Sequence, residues 1–166
     1  PISIAGFDSA LGILRLIFEV RGKGTAWLAE RRAGESLDLI GPLGHGFPLD
    51  SPSKKAVLVG GGIGTPPLLP VARFYGDNAT VITGFRTASA AILQGDFAAS
   101  GAETVLCTDD GTAGFHGFTT QALEQRLARS PADVLYVCGP KGMMKEAARL
   151  AEAAGAVCYV SMEERM

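Results

Sequence analysis

The sequence predicts an α/β fold, a parallel five-stranded sheet with flanking helices preceded by a smaller β part, and three observations carry that prediction. Short, strongly apolar runs recur at 56–60, 80–84, 104–107, 134–138 and 157–161. Their apolarity is continuous rather than alternating, as in strands buried on both faces. Segments of helical composition separate them, at 66–75, 89–99, 119–129 and 141–154. Such β-α-β-α alternation marks a parallel sheet wrapped by helices, with right-handed crossovers as the default.

In chain order, residues 11–20 are apolar and β-compatible with some alternation, and 36–40 repeat the pattern, so both read as strands. Between them Gly22, Lys23 and Gly24 punctuate a turn, after which Thr25 is positioned to cap a short helix through Ala29. Glycines and prolines break regular structure over 41–48, and 50–55 read as a polar linker. The domain boundary is expected there, with 1–50 on one side and 56–166 on the other. Pro66 suits the first turn of a helix, where its missing N–H costs nothing, and Gly155 suits a helix C-terminus.

Composition narrows the function. Apolar residues make up 47% and charged residues 19% of 166, a globular balance that excludes a disordered polyelectrolyte. A net charge of -2 with no Lys/Arg cluster offers no field for nucleic acid or an anionic membrane. Cys107, Cys138 and Cys158 form an odd, scattered trio without a CxxC pair, which predicts neither a disulfide framework nor a zinc site and fits a reducing cytoplasm. His45 and His116 share no metal-ligand spacing with each other or with a carboxylate. No apolar stretch runs long enough to span a bilayer without a Gly or Pro. The chain opens on Pro1 without an initiator Met and stops after Met166, so it reads as a piece of a longer protein.

The segment from Ala56 through Gly60, Gly61, Gly62, Ile63, Gly64 and Thr65 to Pro67 places glycines between a buried strand and a helix start. There, side-chain-free backbone and unpaired N–H groups can meet a pyrophosphate. Two departures separate it from the standard dinucleotide fingerprint. Thr65 stands where a third glycine belongs, and the second strand runs into Gly84, Phe85 and Arg86 instead of an acidic residue. Cys138, Gly139 and Pro140 follow the fourth strand of this domain at its carboxyl end, the edge where parallel sheets bind ligands. Asp109 and Asp110 lie at the same edge after the third strand and could offer carboxylates to a ribose or amide, although Asp-Gly is also a turn signal. Glu163 and Glu164 are weaker candidates for an acid/base pair.

Together with Pro1-Ile2-Ser3-Ile4, Gly22-Lys23-Gly24-Thr25, the segment from Gly41 to Phe47 and the final Ser161-Met162-Glu163-Glu164-Arg165-Met166, these motifs resemble the ferredoxin reductase family in identity and order. Within it, the likeness is to the branch of electron-transfer subunits serving NAD-dependent (class 1B) dihydroorotate dehydrogenases, and it covers essentially the whole chain. The resemblance implies a partial antiparallel β-barrel that binds FAD over 1–50 and an NAD-binding α/β domain over 56–166. It implies flavin contacts at Pro1, Ile2, Ser3, Gly24 and Thr25, with Ile17, Phe18 and Glu19 running beside the cofactor; Glu19 stands where the family often has a basic residue. Nicotinamide contacts would fall on Gly61, Gly62, Ile63, Gly64, Thr65, Asp109, Asp110, Cys138, Gly139 and Pro140.

The family's arginine before Pro1 is not in this chain, nor is the Cys-rich segment that ligates a [2Fe–2S] cluster beyond Met166. The resemblance further implies a catalytic FMN-containing partner subunit, in a heterotetramer, whose electrons pass through the cluster and FAD to NAD⁺ as dihydroorotate becomes orotate in pyrimidine synthesis. The cofactors carry that redox chemistry, and no side chain need act as acid or base. Two alternatives share the motifs: a flavin subunit of a sulfide dehydrogenase or NADPH-dependent ferredoxin reductase complex, and a non-catalytic nucleotide-binding module.

Overall fold

The computed structural model describes residues 2–41 and 43–162. The chain opens with a hairpin, β1 (Ile2–Asp8) against β2 (Ile13–Phe18), antiparallel and with a register shift between Ile4 and Gly6. A short helix α1 (Lys23–Ala29) follows. The expected strand at 36–40 does not form: among the described residues no partner strand lies beside it, and Ile40 is 89% exposed. Backbone polar groups without a ladder partner stay in water.

The rest alternates strand and helix as expected: β3 (Ala56–Gly61), α2 (Leu68–Tyr75), β4 (Ala79–Phe85), α3 (Gln94–Ala99), β5 (Glu103–Thr108), β6 (Phe115–His116), α4 (Thr119–Arg129), β7 (Val134–Cys138), α5 (Lys141–Ala153) and β8 (Val157–Ser161). All the strands from β3 onward pair in parallel in the order β6-β5-β4-β3-β7-β8. The sheet therefore has six strands rather than five. The extra one is a two-residue pairing of Phe115 and His116 with Cys107 and Thr108, too short to leave an apolar run in the sequence.

Alternation along β3 builds the two sides of the core. Ala56 and Leu58 face α2 with Leu68, Leu69, Val71 and Phe97, while Val57 and Val59 face α4 and α5 with Leu123, Leu135, Ala147 and Leu150. Helix α4 has the bounds read from the sequence. Helix α5 ends with Ala156 N–H donating to Ala151 O at 2.9 Å and Gly155 N–H to Glu152 O at 3.0 Å, the paired closure of a glycine-terminated helix. The helix expected over 89–99 is broken. A single 3₁₀ turn at Ala88–Ala90 gives way to Leu93 at φ 65°, and α3 starts only at Gln94. A left-handed leucine costs about 1–2 kcal/mol, and the bend lets Leu93 pack against the α2 side of the core.

A buried aromatic cluster ties the connecting segment to the sheet. The Tyr75 and Tyr136 hydroxyls lie 2.8 Å apart, Tyr136 donates to Pro48 O at 2.9 Å, and Asp50 N–H donates to Tyr75 Oη at 3.3 Å. Phe47 and Tyr159 pack on the Tyr136 ring from edge and face. Burial, with the Tyr75 hydrogen bond adding, pushes the Tyr136 hydroxyl far above its ordinary range, so it stays a neutral donor. The hairpin is tied down differently, by Arg15 of β2 donating to both Asp96 carboxylate oxygens at 2.5 and 3.2 Å.

Candidate functional site

The strand order reverses at β3: β4, β5 and β6 extend to one side, β7 and β8 to the other. Loops leaving β3 and β7 therefore diverge and open a crevice at their carboxyl ends, the place where open parallel sheets bind ligands. Both glycine-containing motifs converge on it. Gly60 is in register with Cys138, so the turn 62–65 and the segment 138–140 emerge side by side.

Their approach is too close for side chains. A Cβ on Gly64 would overlap the Cys138 carbonyl, and one on Gly139, which sits at φ 155°, would meet Gly61 N at 3.0 Å. Glycine is required at both positions. Beyond them the chain tightens into a 3₁₀ turn over Gly62–Gly64, with Thr65 N–H donating to Gly62 O at 3.2 Å. Pro66 and Pro67 precede the helix, which starts at Leu68, two residues after its expected first turn. The helix start itself has little to offer an anion: Leu68 N–H donates to Thr65 O and Leu69 N–H to Pro66 O, each at 3.1 Å, and the two prolines have no N–H, which leaves the glycine turn as the source of donors.

The crevice widens into a cleft of about 1200 Å³. That exceeds the 300–1,000 Å³ usual for a single small-molecule pocket and leaves space for two ring systems. One wall is the sheet edge, with Gly61, Gly62, Ile63, Gly64, Asp109, Cys138, Gly139 and Pro140. The opposite wall is the hairpin, with Ser3, Ile17, Phe18 and Glu19. Ser3 and Ile17 are cross-strand partners, and Ile17 and Phe18 are half-buried. Residues from separate ends of the chain are thus brought face to face.

Other residues singled out in the sequence do not line the cleft. Ile2 is exposed away from it, and Pro1, Glu163 and Glu164 lie outside the described residues. Thr25 sits inside α1 rather than at its cap: the capping position falls on Gly22, and the Thr25 hydroxyl reaches back to accept from Arg21 N–H at 2.9 Å and Gly22 N–H at 3.1 Å. It and Gly24 shape the turn behind the wall. Thr65 is fully buried beneath the glycine turn, its Oγ1 without a hydrogen-bond partner. Asp110 is held locally by the N–H and hydroxyl of Thr112, which keep its carboxyl below the usual range.

The cleft also draws on residues the sequence did not single out. Arg21 pairs with Glu19 at 2.8 Å, and the starts of α4 and α5 contribute Phe118, Thr119, Thr120, Lys141 and Met143. A signal existed: each helix following a strand begins at the same sheet edge, so its first residues share the site. Arg86, into which the second strand of this sheet runs, also lines the cleft. Among the described residues no group of three or more His, Cys, Asp or Glu is placed to hold a metal ion, and no helix is long and apolar enough to cross a membrane. The Cys107 thiol is buried, and burial with the nearby Asp109 raises it to about 11.

No family model matches the chain. Curated relatives do, over all of it. The chain is 43% identical over 171 residues to the dihydroorotate dehydrogenase B (NAD(+)) electron transfer subunit of Geobacillus thermodenitrificans, and 37% identical over 169 residues to that of Desulforamulus reducens. It covers 65% and 64% of their lengths, less than two thirds of either. Among solved structures, an NADH-dependent reduced ferredoxin-NADP oxidoreductase, described for flavin-based electron bifurcation, aligns over 100% of this chain and 61% of its own, with a TM-score of 0.84 and 30% identity. The flavohem-like FAD/NAD-binding domain of a nitric oxide dioxygenase from Vibrio cholerae shares the fold over 72% of this chain and 56% of its own, with a TM-score of 0.55 and 21% identity. Along its whole length, the chain is thus similar in sequence to dihydroorotate dehydrogenase B electron transfer subunits, and it spans 65% of the length of the first of these relatives.

Proposed function

We propose that this chain is the flavin- and nicotinamide-handling part of an electron-transfer subunit that passes reducing equivalents from dihydroorotate oxidation to NAD⁺. The observation that carries the reading is the two-walled cleft, in which a glycine turn at the switch point of a parallel sheet faces a β-hairpin across about 1200 Å³. In this reading 1–50 is part of a β-barrel that binds FAD, and 56–166 is the NAD-binding domain. The FAD/NAD-binding fold of the solved relatives and the names of the curated ones support it.

The residues present fit both groups. On the sheet side, the backbone at Gly61, Gly62 and Gly64, beside Ile63, can approach a pyrophosphate because these glycines carry no Cβ, and the turn amides can donate to it. Cys138, Gly139 and Pro140 place a second short segment alongside, with small side chains and the bare backbone of Gly139, suited to a flat nicotinamide ring. On the hairpin side, Ser3, Ile17, Phe18 and Glu19 offer backbone and half-buried apolar surface to an isoalloxazine ring. FAD, when bound, supplies the hydride chemistry. The chain's own work is to hold the two rings in contact, exclude water with Ile17, Phe18 and Met143, and keep Glu19 occupied by Arg21 so that no free carboxylate competes at the site.

A [2Fe–2S] cluster and a catalytic FMN-containing subunit, in a heterotetramer, complete the proposed electron path beyond this chain's described residues. A cytoplasmic location is part of the proposal. The test is dihydroorotate-dependent NAD⁺ reduction by the full-length protein assembled with the catalytic subunit of its own organism. Reduction that requires both proteins supports the reading. A catalytic subunit that reduces NAD⁺ equally well alone, or a pair that never does, removes it.

A further inference from the structure

A carboxylate ties the hairpin wall of the cleft to the sheet. Arg15, on β2, donates from Nη1 and Nη2 to the two oxygens of Asp96 at 2.5 and 3.2 Å, a paired arrangement that fixes direction as well as distance. Arg73, in the last turn of α2, brings a second guanidinium to 3.9 Å from the same carboxylate. Its Nη1 lies over Gly6, the cross-strand partner of Arg15, where a Cβ would meet it at 2.9 Å. The hairpin, α2 and α3 thus meet at Asp96.

Both sides of this contact lead to the cleft. Arg15 and Ile17 stand two residues apart on β2 and so share a face, and Ile17 with its partner Ser3 lines the hairpin wall. Asp96 stands in the first turn of α3, which is entered through the left-handed Leu93, and Ala90 and Ile92 just before it line the cleft from the sheet side. Gln94, at the start of the same helix, donates from Nε2 to Thr83 Oγ1 at 3.1 Å and fastens α3 to β4. Asp96 is therefore anchored to the sheet and Arg15 to the hairpin. With side chains 27% and 46% accessible, the pair adds little to overall stability. Its leverage is geometric. Among the described residues of 2–50 only Ala5 and Gly6 are buried, so few apolar contacts hold this wall, and a misplacement of about 1 Å between reacting groups costs as much as about a hundredfold in rate.

We propose that Asp96 is a positioning residue for hydride transfer: by holding Arg15 beside Arg73, it sets the distance between the flavin-bearing hairpin and the nicotinamide wall. The inference rests on the flavin and nicotinamide reading above. Salt screens a partly exposed ion pair, so the rate is sensitive to ionic strength through this contact. The test is stopped-flow, anaerobic reduction of the bound flavin by NADH in the full-length protein, for wild type, Asp96→Asn, Asp96→Glu and Arg15→Ala. Asp96→Asn and Arg15→Ala are expected to slow the limiting rate of flavin reduction by about tenfold or more, while the NADH concentration giving half that rate changes by less than about twofold. Asp96→Glu keeps the charge and should recover most of the rate. Raising salt from about 0.05 to about 0.5 M should slow the limiting rate of wild type and leave that of Asp96→Asn unchanged.

Limiting rates within about twofold of wild type in both Asp96→Asn and Arg15→Ala, or a salt dependence that persists in full in Asp96→Asn, would overturn the inference. Arg15→Ala reads the same contact from the hairpin side should Asp96→Asn fail to fold. Loss of flavin or of the native circular dichroism in both variants would make the contact a structural one and overturn the positioning role. Wild-type flavin that NADH never reduces would remove the flavin and nicotinamide reading itself, and this inference with it.

Discussion

The two parts of this molecule are stabilised in different ways. From 56 onward the sheet carries a core on each face, with Leu58, Val59, Ile82, Leu123, Leu135 and Tyr136 fully buried. Among the described residues of 2–50, only Ala5 and Gly6 are buried, while Phe7, Leu11, Leu39, Ile40 and Leu43 are each more than two thirds exposed. The sheet part carries nearly all of the buried apolar surface of the described residues. The hairpin part holds its place through Arg15 on Asp96, the Tyr75–Tyr136 cluster and the packing of β1 on α2. One wall of the cleft is thus built on a buried core and the other is attached to it.

That contrast can be broken most forcefully in the core. Leu58→Ala should cost about 2–5 kcal/mol in urea unfolding, because a fully buried side chain leaves a cavity. Ile40→Ala should change stability by less than about 0.5 kcal/mol. Comparable losses at both positions would mean that the hairpin part has a core of its own. Gly64→Ala is expected to cost about 1–3 kcal/mol and to abolish dinucleotide binding in calorimetric titration, since the added methyl meets backbone that cannot swing away.

Smaller effects sharpen the attachment. Tyr136→Phe removes the donor to Pro48 O and leaves Tyr75 with a poorer partner, for a loss of about 1–2 kcal/mol. Hydrogen exchange at the Asp50 amide should quicken while β7 amides stay protected. Arg15→Ala breaks an exposed pair and should cost less than about 1 kcal/mol, seen as faster proteolysis of the hairpin rather than a lower unfolding midpoint.

Cys107 supplies a pH dependence confined to the sheet part. Its folded pKa, about 11, lies above the ordinary 9.0. Its contribution is therefore intact below pH 9 and is lost as pH rises toward 11. Cys107→Ala should flatten the stability profile over that window.

The same division explains what could be read from the sequence. In the sheet part, continuous apolar runs specify strands without needing a partner to be named, and Gly155 and the bounds of α4 follow from local signals. What escaped there depended on tertiary contacts. The left-handed Leu93 is favoured by a packing site on the α2 side, and β6 has only two residues. In the hairpin part, alternating segments become strands only beside a partner, so 13–18 pairs with β1 and 36–40 stays irregular.

The site divides similarly. The glycine turn and Cys138-Gly139-Pro140 announced a shared edge through their positions after strands, and Ile17, Phe18 and Glu19 entered through family resemblance. Phe118 and Lys141 were hidden because an exposed residue at a helix start has no sequence pattern to separate a ligand contact from a solvated surface.

In the proposed function the two walls hold a flavin and a nicotinamide in contact. Adding NADH anaerobically to the full-length protein and following the visible absorbance tests it most directly. The expected result is a bound flavin whose absorbance bleaches on NADH addition, and bleaching that is lost in Gly64→Ala while the flavin remains bound. A protein that purifies without flavin, or whose flavin NADH never reduces, would contradict it.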